Sequence, residues 1–183
     1  EMGNWAVHYI DDLCNMLDWK YAPSSVITAG GRFVWNDNGQ TPNMEFALMK
    51  HNGLNVVVEI RDLPLSSTKN TKGVYLGRRG GNIIECEDAV VKIARGGGAA
   101  YSKDGKKIKN YGGNGGRGHV QNFINAIRKG SPAGLNAPVE GGVLSSLIAQ
   151  QANISYRLGK KASLDEVRQN MKDHEDALNT IKS

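Results

Sequence analysis

The chain has few cysteines and no long apolar run. Each of these two shortages excludes a class of protein. Two cysteines among 183 residues form neither a disulfide framework nor a multi-thiolate metal site, so we expect Cys14 and Cys86 to be small buried side chains. The sequence contains no run of 18 apolar residues, so it predicts no membrane-spanning helix. The chain opens on Glu1 without an initiator methionine or a leader, so we expect a piece of a longer protein, and its compartment (cytoplasmic or periplasmic) stays open.

Basic residues outnumber acidic ones, with 23 Lys and Arg against 18 Asp and Glu, which gives a net charge of +5. The densest basic run, residues 103–109, is short and contains an acid, which predicts a solvated hairpin or loop. A nucleic-acid surface needs basic residues clustered on one face with aromatic residues between them. The charge balance is therefore compatible with an anionic partner and gives no indication of DNA or membrane binding.

Apolar residues at helical spacing predict four helices, and alternating residues predict a block of strands between them. The helices are expected at residues 4–17, 119–129, 140–158 and 165–181. The strands are expected at 26–35, 44–50, 56–61, 73–78, 82–86 and 89–94, with Asn52-Gly53 as a hairpin turn. On the second strand Met44, Phe46 and Leu48 form the apolar set. We predict an α+β fold: an antiparallel, open-faced β-sheet with helices packed on one face.

Glycine is abundant, with 23 residues concentrated at 96–98 and 112–118, where we expect mobile or ligand-contacting loops. Residues 113–118 match the Gly-x-Gly-x-x-Gly dinucleotide pattern, and Glu140 follows 22 residues later. That pattern requires a buried parallel strand immediately before it and a βαβ unit around it. The polar residues 106–111 do not supply such a strand, so we expect no cofactor binding there.

Asn4 and His8 stand at positions i and i+4 of the first predicted helix, which places both side chains on one face. Imidazole is the side chain whose ordinary pKa suits proton transfer near neutral pH. Asn4 could cap the helix, bind a ligand hydroxyl or orient His8. A structural or surface role for His8 is the alternative.

Four segments resemble, in order and spacing, the C-terminal part of the glucose-fructose oxidoreductase/inositol dehydrogenase (Gfo/Idh/MocA) family. They are GNWAVHYIDDLCNMLDW, SSVITAGGRFVWNDNGQTPNMEFALMKHNGLNVVVEIRDL, HVQNFINAIRKGSP and SLIAQQANISYRLGKK. The resemblance implies that residues 1–161 form a substrate and oligomerisation domain whose start is missing, and that 162–183 are a helical extension. It also implies an N-terminal Rossmann domain, absent here, that binds NAD or NADP and carries a catalytic lysine. No cofactor is then expected on this chain alone.

The resemblance places the family's Asp-x-x-x-His pattern on Asn4 and His8, which become the expected catalytic pair of an enzyme that oxidises or reduces sugars, cyclitols or related polyols. Asn4 departs from the pattern, because an amide cannot take a proton as a carboxylate does. No metal is implied. Further substrate contacts are expected at Trp5, Tyr9, Arg32, Trp35 and His119.

Four of these further residues have a second interpretation. The two tryptophans stack on a sugar face or pack in the core, Arg32 holds an acidic substrate or a surface carboxylate, and His119 has a structural role at a helix start. A rival interpretation of the whole chain is a non-catalytic module that binds sugar, or forms homo-oligomers, through its open sheet. A fragment without independent function is the third.

Overall fold

The structure is a computed structural model that describes residues 1–66, 69–74, 77–160, 162–170 and 172. A π-helical turn, Met2–Ala6, leads into α1, Val7–Met16; the later helices are α2, His119–Lys129, α3, Val139–Leu158, and α4, Leu164–Asn170. The first five strands are β1, Ser25–Gly31, β2, Met44–His51, β3, Leu54–Arg61, β4, Pro64–Ser66, and β5, Lys69–Lys72. The remaining strands are β6, Asn82–Glu85, β7, Ala89–Ala94, β8, Gly97–Ser102, and β9, Lys107–Gly112.

Every pairing between these strands is antiparallel, which confirms the predicted α+β class. The strands form a three-stranded sheet in the order β1-β2-β3, a β4-β5 ribbon, and a four-stranded sheet in the order β6-β7-β8-β9. The predicted helices at 119–129 and 140–158 are confirmed almost to the residue. No helix in the described ranges has both the length and the apolar character that a bilayer crossing requires.

The hairpin predicted around Asn52-Gly53 is confirmed, and it fixes the register of the first sheet. Both turn residues have positive φ, 48° for Asn52 and 76° for Gly53, as a two-residue turn requires. His51 consequently pairs with Leu54, and Met49 pairs with Val56. Residues that pair across strands share a sheet face, so this turn decides which side chains of β2 face the core.

The predicted facing of β2 was wrong. The buried residues of β2 are Glu45, Ala47, Met49 and His51, while Phe46 and Leu48 are exposed on the opposite face. On β3, Val58 and Ile60 are paired with Ala47 and Glu45 and face inward, as expected. Ala47 is small, and its position lets the helices lie close against the middle of the sheet.

The core lies between this inward sheet face and two helices, α1 and α3. Its members are the buried residues of the opening turn and α1, together with parts of β2, β3 and α3: Met2, Ala6, Ile10, Leu13, Cys14, Trp19, Ala47, Met49, Ile60, Ile148, Ala149 and Ala152. Trp5 is 58% exposed and lies outside this core. Burial of Cys14 is confirmed, whereas Cys86 is exposed, contrary to expectation, because β6 ends at Glu85 and Cys86 lies in the following turn.

α3 also covers the edge of the first sheet. The Ser155 hydroxyl accepts a hydrogen bond from the Thr28 amide at 3.0 Å and donates one to the Val26 carbonyl at 3.2 Å. Both backbone groups belong to β1, an edge strand whose outer backbone groups the sheet cannot pair. This contact fixes α3 along the strand direction of the sheet.

Several element boundaries differ from the sequence prediction. The strand expected at 26–35 ends at Gly31, because Arg32 turns back to Asp37 and the Asn43 side chain binds both the amide and the carbonyl of Phe33. The described part of 73–78 is not a strand. Of the helix expected at 165–181, α4 covers residues 164–170, and residues 173–183 lie outside the described residues.

Of the glycine loop expected at 96–98, Gly96 does lie in the β7–β8 turn, whereas Gly97 and Gly98 begin β8. A Cβ on Gly98 would lie 2.2 Å from the Lys92 carbonyl oxygen, so the absence of a side chain permits the close pairing of β7 and β8. The basic run at 103–109 does include a hairpin turn, since residues 103–106 connect β8 to β9.

Candidate active site

His8 lies in the first turn of α1 with an exposed imidazole ring. The Trp5 ring stands edge-on to it, with 6.5 Å between ring centroids. The Nδ1 atom of His8 is 3.0 Å from the Nη2 atom of Arg95, a residue of the β7–β8 turn. No described residue forms a hydrogen bond with Nε2, so this nitrogen is the one open to a ligand.

Arg95 connects His8 to a second residue of α1. The Nε atom of Arg95 lies 3.9 Å from the Oδ2 atom of Asp12, which is an ion pair too long for a hydrogen bond. Asp12 follows His8 by four residues and therefore lies on the same face of α1. Burial raises the pKa of the Asp12 carboxyl; Arg95 opposes this shift, Asp11 adds to it and His8 opposes it.

An open groove of about 930 Å³ begins beside α1 at Tyr9 and extends over one face of the four-stranded sheet. The amide of the Asn82 side chain donates to the Tyr9 carbonyl at 3.1 Å, which attaches α1 to the start of β6. Asn82 pairs with Ile93, so the Tyr9 end of the groove lies near the same strand ends as Arg95. The groove is lined by Tyr9, Gly77, Arg78, Arg79, Gly80, Glu85, Val90, Lys92, Tyr101, Ser102, Lys103 and Gly105.

The groove lining is predominantly cationic. It contains four basic side chains against one carboxylate, Glu85. Arg78 donates to the Lys92 carbonyl at 3.0 Å, and the Lys92 ammonium lies 5.6 Å from the centre of the Tyr101 ring. A surface of this kind favours a ligand that carries negative charge together with hydroxyl groups.

Asn4 lies within the opening π-helical turn and is exposed. The turn starts at Met2 with Glu1 in the capping position, and the Asn4 amide donates to the Glu1 carbonyl. Asn4 is therefore not the helix cap, which corrects one of the three roles considered for it. Within the described ranges no hydrogen bond joins the Asn4 side chain to His8.

The structure brings Trp5 and His8 together, places Tyr9 at the end of the groove, and places the other three predicted contacts elsewhere. Arg32 and Trp35 lie in the connection between β1 and β2, where Arg32 forms a bidentate ion pair with Asp37. This ion pair raises the pKa of Arg32 and lowers the pKa of Asp37. Arg32 thus holds a surface carboxylate, one of the two partners considered for it.

His119 begins α2, and its Nδ1 atom lies 2.9 Å from the Gly116 carbonyl oxygen. This local contact closes the glycine-rich turn onto the helix. The residues that sequence reasoning missed are Arg95 and Asp12. Asp12 stands at i+4 from His8, a spacing visible in the sequence, whereas only the pairing of β7 with β8 brings Arg95 to α1.

The glycine-rich stretch before α2 does not fit a dinucleotide. The Gly-x-Gly-x-x-Gly stretch at 113–118 follows β9, an antiparallel strand at the sheet edge whose residues are all exposed. A pyrophosphate site of that type needs a buried parallel strand feeding the helix N-terminus. Residues 113–118 therefore lack the strand–turn–helix unit that holds a dinucleotide's pyrophosphate.

Comparison with known proteins identifies the fold. No protein-family model and no curated protein sequence matches the chain. Solved structures do match, and oxidoreductases and dehydrogenases are among them. The chain shares their fold, as the resemblance of its segments predicted.

Three of these structures show the extent of the likeness. A candidate oxidoreductase from Thermotoga maritima has a TM-score of 0.56 and 15% identity, over 85% of this chain and 44% of that one. The WlbA dehydrogenase from Bordetella pertussis, in complex with NADH and UDP-GlcNAcA, has a TM-score of 0.52 and 14% identity, over 86% and 42%. Biliverdin reductase from Synechocystis sp. PCC 6803, in complex with biliverdin and NADP+, has a TM-score of 0.55 and 14% identity, over 83% and 45%. The chain therefore spans less than half the length of each of these three proteins.

Proposed function

We propose that the chain is the substrate-binding half of an NAD(P)-dependent oxidoreductase acting on a sugar, cyclitol or related polyol, and that His8 exchanges the substrate's hydroxyl proton. The observation that carries the proposal is the open Nε2 atom of an exposed His8, which stands beside the Trp5 ring and next in sequence to Tyr9, a residue that lines a polar groove, on an oxidoreductase fold. Structures of this fold hold NADH in one case and NADP+ in another. The cofactor, NAD or NADP, belongs to a second domain.

The reaction class is hydride transfer at a carbinol carbon, and this chain acts on the oxygen side of that carbon. His8 contacts the reacting oxygen through Nε2, while Asn4 offers amide hydrogen bonds to neighbouring hydroxyls. The exposed Trp5 ring gives an apolar surface on which the C–H face of a sugar packs. Tyr9 and the groove beyond it receive the rest of the substrate.

The cationic lining of the groove further restricts the class of substrate. Neither Arg79 nor Lys103 has an ionic partner among the described residues, so both can contact an anionic substituent of the substrate. A carboxylated, phosphorylated or nucleotide-linked sugar fits this lining better than a neutral sugar. The neighbouring WlbA structure holds a sugar of this kind, UDP-GlcNAcA.

Ligand titration of the full-length protein that contains this chain tests the proposal, with tryptophan fluorescence as the signal. We expect NAD(H) or NADP(H) to bind the full-length protein and not the isolated 183-residue chain. If the natural protein is this chain alone and binds neither cofactor, the redox proposal is refuted.

The non-catalytic module is the second candidate, and the outer face of the first sheet favours it. Ile27, Leu48 and Val57 form one row across β1, β2 and β3, and all three are exposed. An exposed apolar row of this length suits a second copy of the chain packed face to face. The same surface serves oligomer formation under the enzyme proposal.

A charged residue substituted into that row tests whether the row forms an oligomer interface. We expect Leu48→Asp to convert the oligomer to monomer in sedimentation velocity, because a carboxylate would be buried in the interface. Ile108→Asp is the matched control, since Ile108 is equally apolar and exposed but lies on β9. If the unaltered chain is already monomeric at micromolar concentration, this surface forms no oligomer interface under either candidate function.

A further inference from the structure

The contact between Arg95 and His8 has a consequence for the hydrogen on the imidazole ring. Guanidinium carries five N–H donors, has no acceptor and stays protonated in proteins. With Nη2 3.0 Å from Nδ1, the bond forms only if Nδ1 contributes its lone pair. A neutral imidazole with a lone pair on Nδ1 carries its hydrogen on Nε2.

We infer that Arg95 is a positioning residue that holds His8 as the neutral tautomer with its hydrogen on Nε2, and that Asp12 holds Arg95 in place. The geometry supports each part. Arg95 comes from the β7–β8 turn and reaches α1 between His8 and Asp12, which lie one helical turn apart. Asp12 keeps this guanidinium beside His8 through charge, across 3.9 Å.

The tautomer decides what Nε2 presents to a ligand. In this state Nε2–H donates a hydrogen bond that polarises a substrate carbonyl. Complete transfer of that proton would leave an imidazolate, so this form alone does not supply the proton that reduction consumes. Proton removal from a hydroxyl needs a lone pair on Nε2, hence a hydrogen on Nδ1, and the guanidinium must then leave. Arg95 therefore favours the donor form of His8 and opposes the acceptor form; this consequence rests on the proposed function, whereas the tautomer does not.

Long-range nitrogen–proton NMR correlation of the nitrogen-labelled 183-residue chain measures the tautomer directly. Spectra are taken about two pH units above the ordinary histidine pKa of about 6.5, and His8→Gln assigns the His8 signals. We expect the Nε2–H form to dominate by roughly tenfold or more, as a hydrogen bond from a charged donor implies. Dominance of the Nδ1–H form would overturn the inference.

Variants of Arg95 separate positioning from mere proximity. Arg95→Lys keeps a charged donor and should keep the Nε2–H form. Arg95→Glu presents an acceptor to Nδ1 and should invert the ratio, while Arg95→Met should lower it if the glutamate variant does not fold. Arg117→Met is the control, because Arg117 lies in the turn before α2 and does not contact His8. A ratio that stays unchanged in the folded Arg95→Glu or Arg95→Met variant overturns the inference.

Turnover of the full-length protein distinguishes this inference from the proposed function. If the tautomer follows Arg95 but His8→Ala turns over normally, the positioning role stands and the catalytic role of His8 falls. If His8→Ala loses turnover while the tautomer ignores Arg95, the catalytic role stands and the positioning role falls.

Discussion

Glu45 is a carboxyl group buried in the core, and its neutralisation should stabilise the protein at neutral pH. The side chain lies on the inward face of β2, only 3% exposed, and its Oε1 atom has no hydrogen-bond partner among the described residues. Burial raises the pKa of Glu45 above 4.5, and the chain's amino terminus partly opposes the shift. We therefore predict that Glu45→Gln raises the free energy of unfolding at pH 7.5.

The size of the effect follows from the missing partner. A buried polar atom left without a hydrogen bond costs about 1–3 kcal/mol, and more when it is charged. Glutamine removes the charge but leaves an amide to bury, so we expect a net gain of about 1–2 kcal/mol. For a protein of this size each kcal/mol shifts Tm by about 2–4 °C, which gives an increase of roughly 2–8 °C.

The pH dependence gives the prediction its sign. Because the folded pKa is raised, the folded state binds the Glu45 proton more tightly than the unfolded state does. The free energy of unfolding is then highest below the ordinary pKa of 4.5, falls as pH rises toward the folded pKa, and stays low above it. The gain from Glu45→Gln should thus vanish near pH 4.

Thermal unfolding followed by circular dichroism across this pH range measures both quantities. Glu87→Gln, an exposed acid in the β6–β7 turn, controls for the loss of one negative charge. Equal gains at pH 4 and pH 7.5, or a loss of stability at pH 7.5, would refute the account of Glu45.

Two further predictions concern the sheets, and both are measured by denaturant unfolding. Ser155→Ala should lower the free energy of unfolding by about 1–2 kcal/mol, because the Thr28 amide loses its acceptor. Ser146 is exposed on the same helix, and Ser146→Ala, the control, should change the free energy of unfolding by less than about 0.5 kcal/mol. Gly98→Ala should destabilise by about 2 kcal/mol or more, because its Cβ would meet the backbone of β7 at 2.2 Å. Gly96→Ala, where nothing lies within 4 Å of a Cβ, is its control. Equal effects of the members of either pair would contradict the geometry.

The sequence predicted local structure well wherever one rule decided it. Period-two alternation and Asn52-Gly53 gave the first hairpin, and the helix at 119–129 follows from its apolar spacing and from Gly130, whose φ of 60° ends it. The prediction for β2 failed because its own alternation groups Phe46 with Leu48 as the apolar set. The hairpin register instead pairs Ala47 with Val58 and Met49 with Val56, which puts the other residues of β2 on the inward face.

The β8 strand and the position of Arg95 escaped prediction because both depend on contacts between residues distant in sequence. Gly97-Gly98 has the composition of a loop, and its pairing with β7 depends on tertiary contact rather than on local preference. His8 and Trp5 could be named from one helix. Arg95 comes from a turn 87 residues away, and nothing in its local sequence marks it.

The most direct measurement is the turnover of the full-length protein with NAD(P)+ or NAD(P)H and a panel of carboxylated, phosphorylated and neutral sugars, with and without His8→Ala. We expect the substitution to leave nicotinamide binding intact and to lower kcat by about 10²–10⁴-fold, the usual contribution of a general acid or base. Lys20→Ala, an exposed residue between α1 and β1, should have no effect. Unchanged turnover in His8→Ala would contradict the assignment of this site as the place of chemistry.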